Sequence, residues 1–262
     1  CFSGGVALNC SLNGKIIESN LFEEIFVQPA SGDNGAALGA CLLSHKKLSG
    51  ELKPKKIHDY YLGSEFSNDE IKNILDANGV KYSFFDDISK KTALALNNKK
   101  IVGWFQGGAE FGPRALGNRS ILTSPFPASM KDYLNSRVKF REEFRPFAPA
   151  ILHEYTREYF DIEQESPHML INARVKDEKA EQVAAAIHID NTARVQTVKP
   201  ENNIRFRKLL EAFYKKTDCP VLLNTSFNIK GQPIVNSPDE AIDCFLGTNI
   251  DVLTIGDFIL EK

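Results

Sequence analysis

Capped amphipathic helices alternate with short apolar runs along this chain, and that alternation restricts it to the α/β class. The stretch SNDEIKNILDANG opens with a capping box, Ser67 with Glu70 three residues later. It sets Ile71, Ile74 and Leu75 on one face and stops at Gly79. RFRKLLEAFYKKT, at Arg205–Thr217, places Phe206, Leu209, Leu210 and Phe213 on one face. SPDEAIDCFLG has Ser237 as N-cap, Pro238 at the first helical position and Glu240 completing a second box. KIVGWF (Lys100–Phe105) and PVLLNTSFN read as strands, and DVLTIGDFIL supplies one or two more.

The first 45 residues also read as α/β. SGGVALNCSL is a glycine turn leading into a helix, and EEIFVQP (Glu23–Pro29) is a short strand. SGDNGAALGACLLSHKK opens a helix of small residues, with Lys46 and Lys47 near its end where cations suit the dipole. SGELKPKKIHDYYL, residues 49–62, is polar, carries a proline and reads as a linker. Cys1 opens directly on a Gly-rich motif with no initiator Met, so the chain reads as the C-terminal part of something larger.

Charge excludes some functions. With 32 basic and 34 acidic side chains the formal net charge is -2, and no basic bias favours nucleic acid or an anionic membrane. Any cationic site must be local. The five cysteines show no C-x-x-C spacing and their count is odd, which reads as reduced thiols in a cytoplasmic protein. No run approaches ~20 apolar residues, the length a membrane-spanning helix needs, and no leader pattern is present.

Four polar clusters of the second unit lie at expected strand ends. EFGPRALGNRS carries Arg114 and Arg119 among Gly112, Pro113 and Gly117. VKFREEFRPFAP carries Lys139, Arg141 and Arg145; HIDNTARVQT carries His188, Asp190, Arg194 and Gln196; LNTSFN carries Asn224, Thr225, Ser226 and Asn228. Arginine suits bidentate recognition of phosphate or carboxylate, and hydroxyl and amide groups beside a Gly-rich turn complete an oxyanion cradle. Together they ask for a ligand with several anionic oxygens. A plainer account exists for each cluster alone. Glu142 and Glu143 are placed to pair with Arg141 and Arg145 on the surface. His188 is a single histidine, Asp33 in SGDNGA suits an N-cap, and no H-x-x-x-H or H-x-E pattern marks a metal.

The ordered set WFQGGAEFGPRALGNRSIL, VKFREEFRPFAPAIL, HIDNTARVQTV and PVLLNTSFNIKGQPIVNSPDEA closely resembles the C-terminal half of the nodulation-type O-carbamoyltransferases. SGGVALN and PASGDNGAALGA look like the end of the same family's N-terminal domain. The resemblance implies a YrdC-like twisted open sheet with helices over 63–262 and a linker at 49–62. Residues 1–48 would be a short α/β remnant of an actin-like, ASKHA-type domain. It implies that carbamoyl phosphate and ATP, with Mg²⁺, give carbamoyl-adenylate, and that an iron-bearing N-terminal domain passes the carbamoyl group to an acceptor hydroxyl. A K-x-R…S-x-N pattern at the nucleotide and acyl site matches Lys139, Arg141, Ser226 and Asn228.

The resemblance further implies that Arg114 and Arg119 grip carbamoyl phosphate. Arg145, His188, Arg194, Asn224 and Thr225 would line the ligand site. Gly4, Gly5 and Asn9 would form a nucleotide loop, and Asp33 would be a metal ligand whose histidine partners are absent here. Two departures stand out: Asn191 where the family usually has Gly, and Gly108-Ala109 where it commonly has an arginine and a methionine. Competing readings are an RNA- or nucleotide-binding module of the same fold and a non-catalytic homologue. No membrane and no nucleic-acid partner is expected, and a homodimer is compatible with the sequence.

Overall fold

The computed structural model describes residues 1–51, 53 and 60–262, so the linker expected at 49–62 lies in part outside the described residues. Among the described residues ten strands form one sheet: β1 (Ser83–Phe84), β2 (Val102–Phe105), β3 (Arg119–Thr123), β4 (Ala148–Leu152), β5 (Phe160–Asp161), β6 (Ile171–Val175), β7 (Thr192–Val198), β8 (Val221–Ser226), β9 (Val252–Ile255) and β10 (Phe258–Glu261). Their order is β1-β10-β9-β2-β3-β8-β4-β7-β6-β5. The pairs β2–β9 and β4–β7 are parallel and the others antiparallel.

Eight α-helices among the described residues accompany it: α1 (Cys10–Glu18), α2 (Asp33–Ser49), α3 (Asn68–Ala77), α4 (Ile88–Asn97), α5 (Ser129–Leu134), α6 (Thr156–Tyr159), α7 (Ile204–Thr217) and α8 (Pro238–Leu246). Both expected capping boxes are present, at Ser67/Glu70 on α3 and Ser237/Glu240 on α8.

The central strands are buried on both faces, and their alternation splits the core in two. Val102 and Trp104 of β2, Leu122 of β3 and Leu222 of β8 face a cluster closed by Leu96 of α4 and by Phe206, Leu209, Leu210 and Phe213 of α7. Phe105, Ile121 and Leu223 face the other way, onto Leu75 of α3, Leu134 of α5 and Ile242 and Phe245 of α8. Each fully buried side chain of this size contributes about 1.5–3 kcal/mol. The sheet body between α4/α7 and α3/α5/α8 is therefore rigid enough to hold a polar site at its middle strands.

The first 50 residues dock on the β6 side of this body. Gly14 of α1 lies against the backbone of Asn172, where an added Cβ would meet the carbonyl oxygen at 2.4 Å. The fully buried Asn13 donates to Ala7 O and Leu170 O, both at 2.8 Å. The strand expected at Glu23–Pro29 is reduced to one parallel bridge, Phe2 with Val27. An apolar run becomes a strand only where a neighbour offers a ladder, and Phe2 offers a single rung. α2 forms as expected, with Lys46 and Lys47 in its last turn and Gly50 at φ 73 ending it, but none of its residues is buried. Among the described residues no helix is long and apolar enough to cross a membrane.

Candidate active site

EFGPRALGNRS is folded around a carboxylate. Glu110 Oε1 accepts from the backbone N–H groups of Leu116 (2.7 Å), Asn118 (2.8 Å) and Arg119 (3.1 Å). The glycines are required by the route: Gly112 has φ 131 and Gly117 has φ 107, and a Cβ on Gly117 would sit 2.3 Å from the Phe206 ring. The turn thus presses on α7 while its middle, Arg114-Ala115-Leu116, is laid over the sheet. Two side-chain amides pin it there. Asn224 Nδ2 on β8 donates to Ala115 O at 3.3 Å, and Gln196 Nε2 on β7 donates to Leu116 O at 2.8 Å.

This pinning separates the two arginines read together from the sequence. Arg119 is not in the loop but is the first residue of β3, and it is fully buried. Its guanidinium donates to the carbonyls of Gln106 (2.6 Å), Gly107 (3.0 Å), Asn118 (3.3 Å) and Ser64 (2.7 Å) and lies 3.6 Å over the Phe105 ring. A guanidinium so engaged is a structural clasp, and the pairing of Arg114 with Arg119 on one phosphate does not match the geometry.

Arg114 instead converges with Arg194 of β7. Arg114 reaches Leu8 O at a long 3.5 Å, and its Nε and that of Arg194 are enclosed without a partner. Among the described residues neither guanidinium has a carboxylate partner. Burial, then the Arg114 charge and, more weakly, Arg141 push Arg194 down to about 10. Burial lowers Arg114 as well. Cations drawn partly out of water without a counter-charge are costly, and two half-buried ones that repel each other ask for an anion between them.

Arg141 borders this pair. Its Nε donates to Asn135 Oδ1 at 2.7 Å and its guanidinium lies 4.8 Å over Phe147. Lys139 ends a π-helical turn, Asn135–Lys139, and is 3% exposed. Its ammonium reaches Ser226 O (2.8 Å), Ser226 Oγ (3.2 Å), Asn228 O (2.9 Å) and Asn228 Oδ1 (2.6 Å), so it latches the loop leaving β8. Burial, then the Arg141 charge, push it down to about 7. The four oxygens pull the other way, because a neutral amine has only two N–H groups to offer them.

The other sequence candidates are spread over several places. His188 Nδ1 lies 3.0 Å from Thr192 Oγ1 in the turn that opens β7, close enough for the Arg194 charge to act on it. Asn191 in that turn takes φ 56, a conformation Asn accommodates. Arg145 pairs with Glu142 at 3.1 Å on the surface, as the plainer account had it, but Arg141 does not. Thr225 sits between Asn224 and Ser226 and faces the opposite side of the sheet.

Asn9 caps α1 through Leu12 N at 3.1 Å. Gly4 and Asp33 line a separate cavity of about 480 Å³ with Gln28 and Ser31, both of which carry enclosed polar atoms without partners; Gly5 starts the short 3₁₀ turn beside it. Among the described residues no three His, Cys, Asp or Glu side chains gather, so Asp33 has no companions for an iron site. Gly108 admits no arginine here, since a Cβ would lie 2.5 Å from Tyr61 O.

Glu110, the residue that shapes the loop, was missed from sequence. A carboxylate that caps three backbone amides has no spacing signature. Gln196 was legible only as a neighbour: two residues after Arg194 on a strand, it must share that arginine's face.

Residues 93–262 match the family model for the carbamoyltransferase C-terminus, and residues 1–42 match that for the carbamoyltransferase N-terminus. The chain belongs to the carbamoyltransferase family. Nodulation protein NolO of Bradyrhizobium diazoefficiens is 43% identical to this carbamoyltransferase-family chain, over 100% of the chain and 49% of NolO. The 3'-hydroxymethylcephem-O-carbamoyltransferase of Streptomyces clavuligerus is 35% identical, over 97% of the chain and 47% of that protein. The chain therefore spans about half the length of the curated relatives it matches. Among solved structures, full-length HypF in a phosphate- and nucleotide-bound form aligns with a TM-score of 0.48 at 21% identity, over 67% of this chain and 22% of HypF.

Proposed function

We propose that this chain carries the activating half of an O-carbamoyltransferase, binding carbamoyl phosphate and ATP and forming carbamoyl-adenylate. The observation that supports it most is the pair of half-buried, mutually repelling guanidiniums of Arg114 and Arg194, with no carboxylate partner among the described residues. On this reading they hold the phosphate of carbamoyl phosphate. Arg141 supports the nucleotide phosphates, and Mg²⁺ arrives with the nucleotide. Lys139 acts through the Ser226–Asn228 loop that it latches.

Water cleaves carbamoyl phosphate to carbamate and phosphate. A carbamate oxygen then attacks the α-phosphorus of ATP, and pyrophosphate leaves with the electron pair of the broken P–O bond. The carbamoyl group passes from the adenylate to an acceptor hydroxyl, releasing AMP; that transfer belongs to the remainder of the protein. Iron would serve that transfer, since among the described residues no three His, Cys, Asp or Glu side chains gather to hold it. Fixed cations at the phosphates lower the barrier because charge develops there as pyrophosphate departs.

Calorimetric titration with carbamoyl phosphate and with ATP·Mg²⁺, followed by an assay of pyrophosphate release, tests the proposal. Heat from both ligands is the expected result. No heat from either at millimolar concentration refutes it.

A further inference from the structure

Asn224 is fully buried, and one half of its carboxamide is committed while the other is not. Its orientation is unambiguous. Ala115 O and Leu116 O are backbone carbonyls and can only accept. Gln196 must therefore turn its Nε2 to Leu116 (2.8 Å) and leave its Oε1 to accept. Asn224 must in turn direct Nδ2 to that Oε1 (2.8 Å) and to Ala115 O (3.3 Å). The chain of amides leaves Asn224 Oδ1 as an enclosed acceptor without a partner.

Small side chains stand beside it on this face. Ala148 of β4 is the register partner of Asn224, and Ala150 is the partner of Gln196. The short side chains of β4 let Asn224 of β8 and Gln196 of β7 meet across it, on the face that Arg194 shares with Gln196. Ser226, two residues along β8, shares the face of Asn224. Arg114 lies in the loop that both amides pin. An orphaned acceptor beside two unpaired guanidiniums is complementary to a ligand carrying an anion at one end and an N–H donor at the other.

We infer that Asn224 reads the amide of the carbamoyl group: its Oδ1 accepts an N–H of the acyl moiety whose phosphate lies on Arg114 and Arg194. This rests on the proposed function and adds a specificity to it. Acetyl phosphate has a methyl group where carbamoyl phosphate has NH₂. A methyl cannot donate, so it would leave Oδ1 buried and unpaired, and such losses correspond to about ten- to hundredfold in affinity. Gln196 is the positioning residue that keeps the acceptor turned outward.

The test compares carbamoyl phosphate, acetyl phosphate and inorganic phosphate by calorimetry on the full chain, as wild type, Asn224→Leu and Gln196→Leu. Wild type should favour carbamoyl over acetyl phosphate by about ten- to hundredfold. Asn224→Leu should bring that ratio near one. Gln196→Leu loosens the Arg114 loop and frees the Asn224 carboxamide to turn, so it should weaken both acyl phosphates and inorganic phosphate and also lower the ratio. Equal wild-type affinities for the two acyl phosphates overturn the inference but leave the anion site standing, and need no variant to fold. A ratio that survives in Asn224→Leu places the reader elsewhere and also overturns it. Failure of all three ligands to bind refutes the anion site and the inference together.

Discussion

Arg119 and Arg114 are five positions apart and do opposite work. Arg119 commits both terminal nitrogens of its guanidinium to four carbonyls inside the fold, whereas Arg114 makes one long contact, to Leu8 O at 3.5 Å. Arg119→Lys loses the planar fork and strands several of those carbonyls. It should cost about 3 kcal/mol, lowering Tm by roughly 6–12 °C for a body of this size. Arg114→Lys should leave Tm nearly unchanged and weaken carbamoyl phosphate ten- to hundredfold, about 1.5–3 kcal/mol. Thermal melts and calorimetry on both variants check the split; the same outcome for the two would mean that one arginine is misassigned. Lys139 adds a pH dependence. Its folded pKa is depressed to about 7, so its burial penalty is present in full below that value and is relieved between 7 and the unfolded lysine range. Stability from this group therefore rises with pH across that window. Ligand affinity should move the other way, by up to about tenfold per unit, because the neutral amine loosens its hold on Ser226 and Asn228. Parallel melts and titrations at pH 6, 7, 8 and 9 read both trends, and Lys139→Met should flatten them.

At the scale of elements, two helical glycines predict opposite responses. Gly14 of α1 lies against the Asn172 carbonyl, so Gly14→Ala inserts a methyl group where none fits and should cost about 1–3 kcal/mol of docking. Gly39 in the middle of α2 has nothing within 4 Å of its would-be Cβ, and Gly39→Ala should stabilise that helix by up to about 1 kcal/mol. Protease resistance of residues 1–50 should fall in the first variant and hold or rise in the second. The sequence announced the helices themselves, because caps and apolar faces are local: Ser67/Glu70 and Ser237/Glu240 stand where their spacing placed them. β8, β9 and β10 were legible as apolar runs bounded by turn residues. β4, β6 and β7 were not, because polar or short segments become strands only when neighbours complete their ladders. The same limit applied at the site. Residue types named Arg114, Arg194, Arg141 and Lys139. That Arg119 faces inward, that Thr225 faces away and that Glu110 shapes the loop depend on register and on long-range contacts, which spacing does not encode.

At the scale of the molecule, the candidate site and the N-terminal segment share their contacts. The sheet body carries two large apolar clusters, whereas the first 50 residues have a small one in which Ala7, Val27 and Leu170 are the buried members. What adds to it is polar: Asn13 to Leu170 O, Asn172 Nδ2 to Ser11 Oγ at 3.0 Å, and Arg114 to Leu8 O. Residues that hold α1 thus lie on the same loop and strand edge as those assigned to the ligand. Without ligand, α1 should exchange its amide hydrogens well before β4 and β8, since few buried contacts oppose its opening. Carbamoyl phosphate at about 100 times its Kd adds up to ~2.7 kcal/mol against any opening that dismantles the site. If α1 must stay docked for Arg114 to keep its place, its exchange should then slow by up to about a hundredfold. α2, with no buried residue, should exchange at the same rate in both states. Hydrogen exchange read by mass spectrometry on peptides spanning 9–20 and 33–50 makes the comparison. Slowing at α1 with α2 unchanged would establish that ligand binding is coupled to the N-terminal segment, whereas saturating ligand without effect on α1 would show that the site closes independently of it.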